Sequence, residues 1–356
     1  MVGATSSTVS RLFASCWHNR HYFLLASYPS RLGSKFVVED RRIAVIAGGV
    51  GAAKFLRGLL NFYPNDLVTA IVNIADDFRL HGLAISPDLD TVTYTISSQV
   101  NSETGWGRSG ESWRVMEELA KIGGHTWFSL GDLDLALHLY RTQRLAEGAT
   151  LSDVTHEICA AWGITATLLP ATNETVSTRL QVSDKSWLDF QDYFVAQQHN
   201  VPIADVRFDG IGDASPGPGV IESLEAADVV IIAPSNPIVS VKPVLEISGI
   251  REALLKRRES VVAISPIVGG AALKGPAARM LDELGHESSA VGVAGFYRDV
   301  ARTLVIDHVD AELSARIEAE GVRALITDTI MSDPARAAAL AKTTLESVFS
   351  DERGSL

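Results

Sequence analysis

The 356 residues suffice for one large domain or two modest ones with a substantial core. Hydrophobic residues at 46% and charged residues at 21% are ordinary globular usage, and a net charge of −12 argues against non-specific nucleic-acid binding, which needs Lys and Arg to displace counterions from phosphates. Cys16 and Cys159 are too few and too far apart for a disulfide framework or a zinc site, and no apolar run approaches the roughly 20 residues of a membrane-spanning helix, so a reducing cytoplasm is the expected compartment.

Residues 1–40 differ from the rest. Arg11, Arg20, Arg31 and Lys35 precede the first acidic residue, among many serines and scattered aromatics. That composition matches an organelle transit peptide, a disordered tail or a start codon placed too far upstream. From Arg42 the pattern becomes alternating strand and helix. Ile43–Ala47 is a short apolar run followed by glycines, Ala52–Phe62 has helical spacing, and Leu67–Val72 is the next buried strand. Similar strands are predicted at Ala166–Leu169, Val229–Ile232, Val261–Ile264, Leu304–Ile306 and Ala324–Ile326. Helices are predicted at Leu133–Glu147, Ser152–Trp162, Pro276–Leu284 and Pro334–Val348. Near-continuous apolar strands separated by helices predict an α/β fold with a mostly parallel sheet covered on both faces. Residues 41–350 are therefore expected to form a single domain, with an irregular insertion near 176–220 that contains the loop Ser215-Pro216-Gly217-Pro218-Gly219.

Gly48-Gly49-Val50-Gly51-Ala52-Ala53-Lys54 follows the first strand and opens a helix. Glycines let a phosphate approach the backbone, and a helix N-terminus offers unpaired N–H groups, with Lys54 one turn further on. The bland reading is a tight turn with no ligand. The third glycine of the dinucleotide fingerprint is missing, as is the Gly-Lys-Ser/Thr of a Walker A loop. The second strand ends in Asn73-Ile74-Ala75-Asp76-Asp77, followed by Ser86-Pro87-Asp88-Leu89-Asp90-Thr91. In open α/β sheets these acids would face the same crevice as the glycine turn. Ser86 or Asp88 is a candidate cap for the helix starting near Asp90, but capping accounts for one acid and not four. Carboxylates beside a phosphate site suit Mg²⁺, with Asp76, Asp77 and Asp88 as candidate ligands; a solvated acidic loop is the alternative. A third cluster, Ser129-Leu130-Gly131-Asp132-Leu133-Asp134, leads into a helix carrying His138 and Arg141, and spacing alone would pair His138 with Asp134.

These blocks, together with Ala233-Pro234-Ser235-Asn236-Pro237, Ser240, Ser265-Pro266-Ile267-Val268-Gly269-Gly270 and Lys274-Gly275-Pro276, resemble the 2-phospho-L-lactate transferase family of coenzyme F420 biosynthesis, in one register from residue 43 to about 348. The resemblance implies a Rossmann-like, dimeric, Mg²⁺-using enzyme. Such an enzyme moves the phosphorylated acid (phospholactate, phosphoenolpyruvate or 3-phosphoglycerate) from a guanosine diphosphate ester to the deazaflavin Fo. GMP leaves, and F420-0 or its dehydro form is the product. The family's deazaflavin-contacting Asp corresponds to Asp90, which with Asp88 is the candidate catalytic pair. A Lys that contacts the deazaflavin in some members corresponds to Ser129. Gly48, Gly49, Gly51, Lys54, Asn73, Ser129, Asp132, Asn236, Ser240, Gly269, Gly270 and Lys274 are expected around the substrates. Two rivals remain at this level. A non-enzymatic nucleotide-sugar-binding regulatory protein of a related fold shares the glycine turn and the Ala-Asp-Asp block. A nicotinamide-dependent oxidoreductase is suggested by Gly49-x-Gly51 with an acid after strand two.

Overall fold

The computed structural model describes residues 41–349 except 184, 273 and 274. The expected 1–40 extension and Lys274 lie outside the described residues. Seven strands form the central sheet: β1 (Ile43–Ala47), β2 (Val68–Val72), β3 (Thr167–Pro170), β4 (Val229–Ile232), β5 (Val261–Ile264), β6 (Thr303–Ile306) and β7 (Arg323–Ile326). Their order across the sheet is β7-β6-β5-β4-β1-β2-β3, and every neighbouring pair is parallel. This is the doubly wound Rossmann-like order with a seventh strand added. β1, β4, β5 and β6 are buried along their whole length, so their side chains show no alternation. The edge strands β3 and β7 are the partly exposed ones, and Pro170 at the end of β3 is tolerated at an edge.

The strand order reverses between β1 and β4. Helix α1 (Gly49–Leu60) leaves β1 directly and buries Ala52, Ala53, Phe55, Leu56 and Leu59. The crossover from β2 to β3 carries a short hairpin (Phe78–Leu80 with Leu83–Ile85), then α2 (Pro87–Ile96), α3 (Arg114–Lys121), α4 (Asp132–Ala146) and α5 (Leu151–Ala161). A small separate core holds α2, α4 and α5 together: Tyr94 of α2, Leu137 of α4, and Val154 and Ile158 of α5. The segment expected to be irregular contains a three-stranded antiparallel sheet, with Ser177–Val182 between Trp187–Asp189 and Ile203–Asp209. Thr178, Leu180 and Val182 point inward from its central strand, the period of two of a half-buried sheet.

Candidate active site

The C-terminal ends of β1, β2 and β4 open into one cavity of about 1000 Å³. At the switch point the loops after β1 and β4 are clasped together. The Gly48 N–H donates to Ser235 Oγ (3.3 Å), and that hydroxyl donates to the Gly48 carbonyl (2.9 Å). Gly49 has φ +70°, a left-handed conformation that glycine adopts without strain. Gly51 packs so closely on the β4 loop that an added Cβ would lie 2.2 Å from the Pro234 carbonyl oxygen. Lys54 lines the same cavity and donates to the Met331 carbonyl (3.4 Å).

The acids approach from β2 and α2. Asn73 extends the sheet ladder through its N–H to the Ala47 carbonyl (2.9 Å), and its side-chain amide donates to Asp88 Oδ2 (3.0 Å). Burial pushes the Asp88 carboxyl up to about 6, against the pull of Asn73 and of the Gly49 N–H. Asp76 accepts from Thr178 Oγ1 (3.2 Å), and burial, then the Asp88 charge, holds its carboxyl well above the usual range. Asp77 is also raised by burial, but its Oδ2 accepts from Ser86 Oγ (2.6 Å) and it is not part of the cavity wall. Ser86 sits at the N-cap of α2, yet gives its hydroxyl to Asp77 and caps no backbone N–H.

No cation lies within ion-pair distance of Asp76 or Asp88 among the described residues, so two mutually repelling buried carboxylates share the cavity wall. That donor set fits a divalent cation. The described residues hold no group of three or more ligating side chains, and Mg²⁺ needs only one or two carboxylates beside waters and phosphate oxygens.

Asp90 is placed differently. It is buried and gripped in a bidentate pair by Arg141 of α4, whose Nη1 lies 3.2 Å from Asp90 Oδ2. Arg141 also donates to the Ala84 carbonyl (3.3 Å) and sits 3.2 Å from His138 Nδ1. His138 therefore faces Arg141 and Asp90, not the Asp134 that local spacing suggested. Burial pushes its ring down to about 4, with the Asp90 charge opposing, so the ring is neutral at pH 7. Asp134, raised to about 6 by burial, accepts from the Gly131 N–H (3.3 Å) and closes the first turn of α4.

The remaining sequence candidates divide. Ser129, Asn236 and Ser240 line the cavity. Asn236 Oδ1 already caps the Ile238 and Val239 N–H groups (2.9 and 3.4 Å), leaving its amide nitrogen, which reaches Met280 Sδ (3.5 Å). Asp132 lies away from the wall, hydrogen-bonded to Ser112 and to the Val115 N–H (3.3 Å). Gly269 and Gly270 form the turn of a short hairpin (Ile267–Val268 with Ala271–Ala272), where the Gly269 N–H is taken by Asp310 (3.1 Å) and not by the cavity. The sequence reading missed two aromatic walls. Trp106, Trp127 and Phe128 stand on the α2–α4 side; Phe190, Phe194 and His199 come from the insertion, with Phe190 and Phe194 stacked at 5.5 Å. Only their composition hinted at them, because no spacing rule connects residue 127 with residue 194.

Residues 43–345 match the family model described as 2-phospho-L-lactate transferase CofD. A phosphoenolpyruvate transferase from Streptomyces griseus is 42% identical over 310 residues, 86% of this chain and 98% of that one. A second from Mycolicibacterium smegmatis is 38% identical, covering 86% and 98%. A 2-phospho-L-lactate transferase from Methanosarcina mazei is 35% identical, covering 84% and 97%. The crystal structure of protein BH3568 from Bacillus halodurans superposes with a TM-score of 0.58 at 19% identity, over 86% of this chain and all of that one, a likeness of fold alone. The chain belongs to the CofD family of 2-phospho-L-lactate transferases and is an enzyme that transfers phospho-acid groups.

Proposed function

We propose that the protein transfers a phosphorylated small acid from a guanosine diphosphate ester to the terminal ribityl hydroxyl of the deazaflavin Fo, releasing GMP and forming F420-0 or its dehydro form. One observation carries this reading: the glycine turn, the Asp76–Asp88 pair and Asp90 all line a single cavity large enough for two substrates. Identities of 38–42% to enzymes named phosphoenolpyruvate transferase favour phosphoenolpyruvate as the acid over phospholactate.

Phosphoryl transfer depends on in-line positioning and on neutralising charge on the non-bridging oxygens. The N-terminal turn of α1, at Gly49 and Gly51, and Lys54 bind and orient the donor's phosphates. Asp76 and Asp88 would hold Mg²⁺, which supplies charge neutralisation at those phosphates when bound. Asn73 keeps Asp88 turned towards the glycine turn. Asp90 orients the attacking hydroxyl: with both carboxylate oxygens engaged by Arg141, it is better suited to accept a hydrogen bond than to remove a proton outright. Ser129 stands beside that hydroxyl site, and the amide nitrogen of Asn236 with the hydroxyl of Ser240 serve the nucleoside.

Incubating the protein with Fo, Mg²⁺ and each guanylylated acid in turn, then weighing the deazaflavin, tests the reading. A gain of the phosphoenolpyruvyl mass is expected. No mass gain with any donor would sink it. The resemblance also implies a homodimer, so light scattering should give about twice the 38.2 kDa chain mass.

A further inference from the structure

The buried face of α4 turns an uncharged ring into the cavity with one donor left over. We propose that His138 is a substrate-positioning residue: Arg141 fixes its tautomer, so that Nε2–H is offered to an oxygen of the acceptor substrate. The chemistry follows from what each neighbour can do. A guanidinium only donates, and Arg141 Nη1, whose two hydrogens are shared among Asp90 Oδ2, the Ala84 carbonyl and this ring, lies 3.2 Å from Nδ1, which favours that ring nitrogen as an acceptor over one that carries a proton. Asp90 would prefer a proton on Nδ1, but its Oδ2 is 3.7 Å from that nitrogen and both its oxygens are held by Arg141. A neutral ring that accepts at Nδ1 carries its proton on Nε2.

His138 is only 2% exposed, and burial keeps it uncharged. Among the described residues no group hydrogen-bonds Nε2, while the ring forms part of the cavity wall beside Asp90 and Asp134. That donor opens on the cavity, where a substrate oxygen takes the place of water on it. A neutral N–H suits a hydroxyl or carbonyl oxygen. The phosphates are assigned to the glycine turn and Lys54, which supply cationic character. The assignment of this oxygen to the acceptor rests on the proposed function, in which Asp90 faces the acceptor hydroxyl.

Two measurements test it separately. In ¹⁵N-histidine-labelled protein, long-range ¹H–¹⁵N correlations, with His138→Gln identifying the resonance, should show the Nε2–H tautomer unchanged from about pH 5.5 to about pH 8. The Nδ1–H tautomer, or a ring that titrates like an ordinary histidine, would overturn the proposal. In fluorescence titrations with Fo, His138→Phe should weaken binding about three- to tenfold, the loss of one neutral hydrogen bond. His138→Gln should recover most of that loss, because its amide nitrogen reaches the place of Nε2. KM for the guanylylated donor should stay within about twofold in both variants. Equal losses in the Phe and Gln variants, or a loss shared by the donor, would count against a donor role. Wild-type protein that does not bind Fo would overturn the functional reading instead, and the tautomer alone would then decide whether His138 is a fixed donor.

Discussion

Asp90 and Arg141 are each tolerable inside the protein only because of the other. Their side chains are 8% and 3% exposed, so removing one charge strands its partner away from water. Asp90→Asn should therefore lower stability by about 3 kcal/mol or more, read as a lower urea midpoint with an unchanged slope. An unshifted midpoint would mean that the pair contributes nothing. Arg141→Lys keeps the charge but loses the two-pronged grip, so it should restore little of the fork's contribution to holding Asp90 in place, and acceptor KM should rise more than donor KM. The motif singled out Asp90, which lines the cavity, but gave no sign of its partner. The buried face of α4 is Asp134, Leu137, His138 and Arg141, a regular helical stripe, yet it is mostly polar, while Leu139 and Tyr140 face outward. Apolar periodicity therefore does not mark the buried face of this helix. Local spacing offered Asp134 as the partner of His138, whereas the ion pair joins residues 51 positions apart.

At the scale of elements, the parallel strands were readable because each is apolar almost throughout, and the ends of the predicted runs agree with the observed ones to within a residue or two. The antiparallel insertion was not, since only Leu180 and Val182 of the inward positions on its central strand are apolar, Thr178 being the third, and a helical segment, Asp192–Ala196, interrupts the chain before its last strand. Its stacked phenylalanines reach the cavity only through that unseen sheet. The glycine turn makes the opposite point: its position was legible, but the reason for Gly51 was not. That residue is small because the β4 loop, more than 180 residues later, presses its Pro234 carbonyl against it. Gly51→Ala should force the α1 N-terminus away from β4 and cost about 1–3 kcal/mol, with a raised KM for the guanylylated donor. Gly295→Ala is the matched control. It lies within the helix Ala290–Tyr297 with open space where Cβ would go, and should raise stability by up to about 1 kcal/mol. If Gly51→Ala behaves like Gly295→Ala, the clasp between the β1 and β4 loops is not a tight one.

The whole molecule concentrates buried negative charge where its sheet changes direction, and this sets how its stability answers to pH. Asp88 has a folded-state value of about 6, above the 3.8 of an ordinary Asp, and Asp76 and Asp77 are shifted the same way. The folded protein thus holds these protons more tightly than the unfolded chain does. The Asp88 contribution to stability is complete below about pH 4 and is lost as pH rises through about 6. In metal-free buffer, wild-type Tm measured against Asp88→Asn should fall from about pH 5 to about pH 7, because the asparagine cannot acquire the uncompensated charge. Mg²⁺ should reverse the trend. A cation held by Asp76 and Asp88 needs them ionised, so the rise in Tm on adding it should be small near pH 5 and grow through pH 6. Asp88→Asn should remove most of that gain, whereas Asp77→Asn, altered at a carboxylate turned towards Ser86, should keep it. A Mg²⁺ effect of equal size at both pH values, or one that survives Asp88→Asn, would place the cation elsewhere. It would leave Asp88 ionised and without a metal at neutral pH.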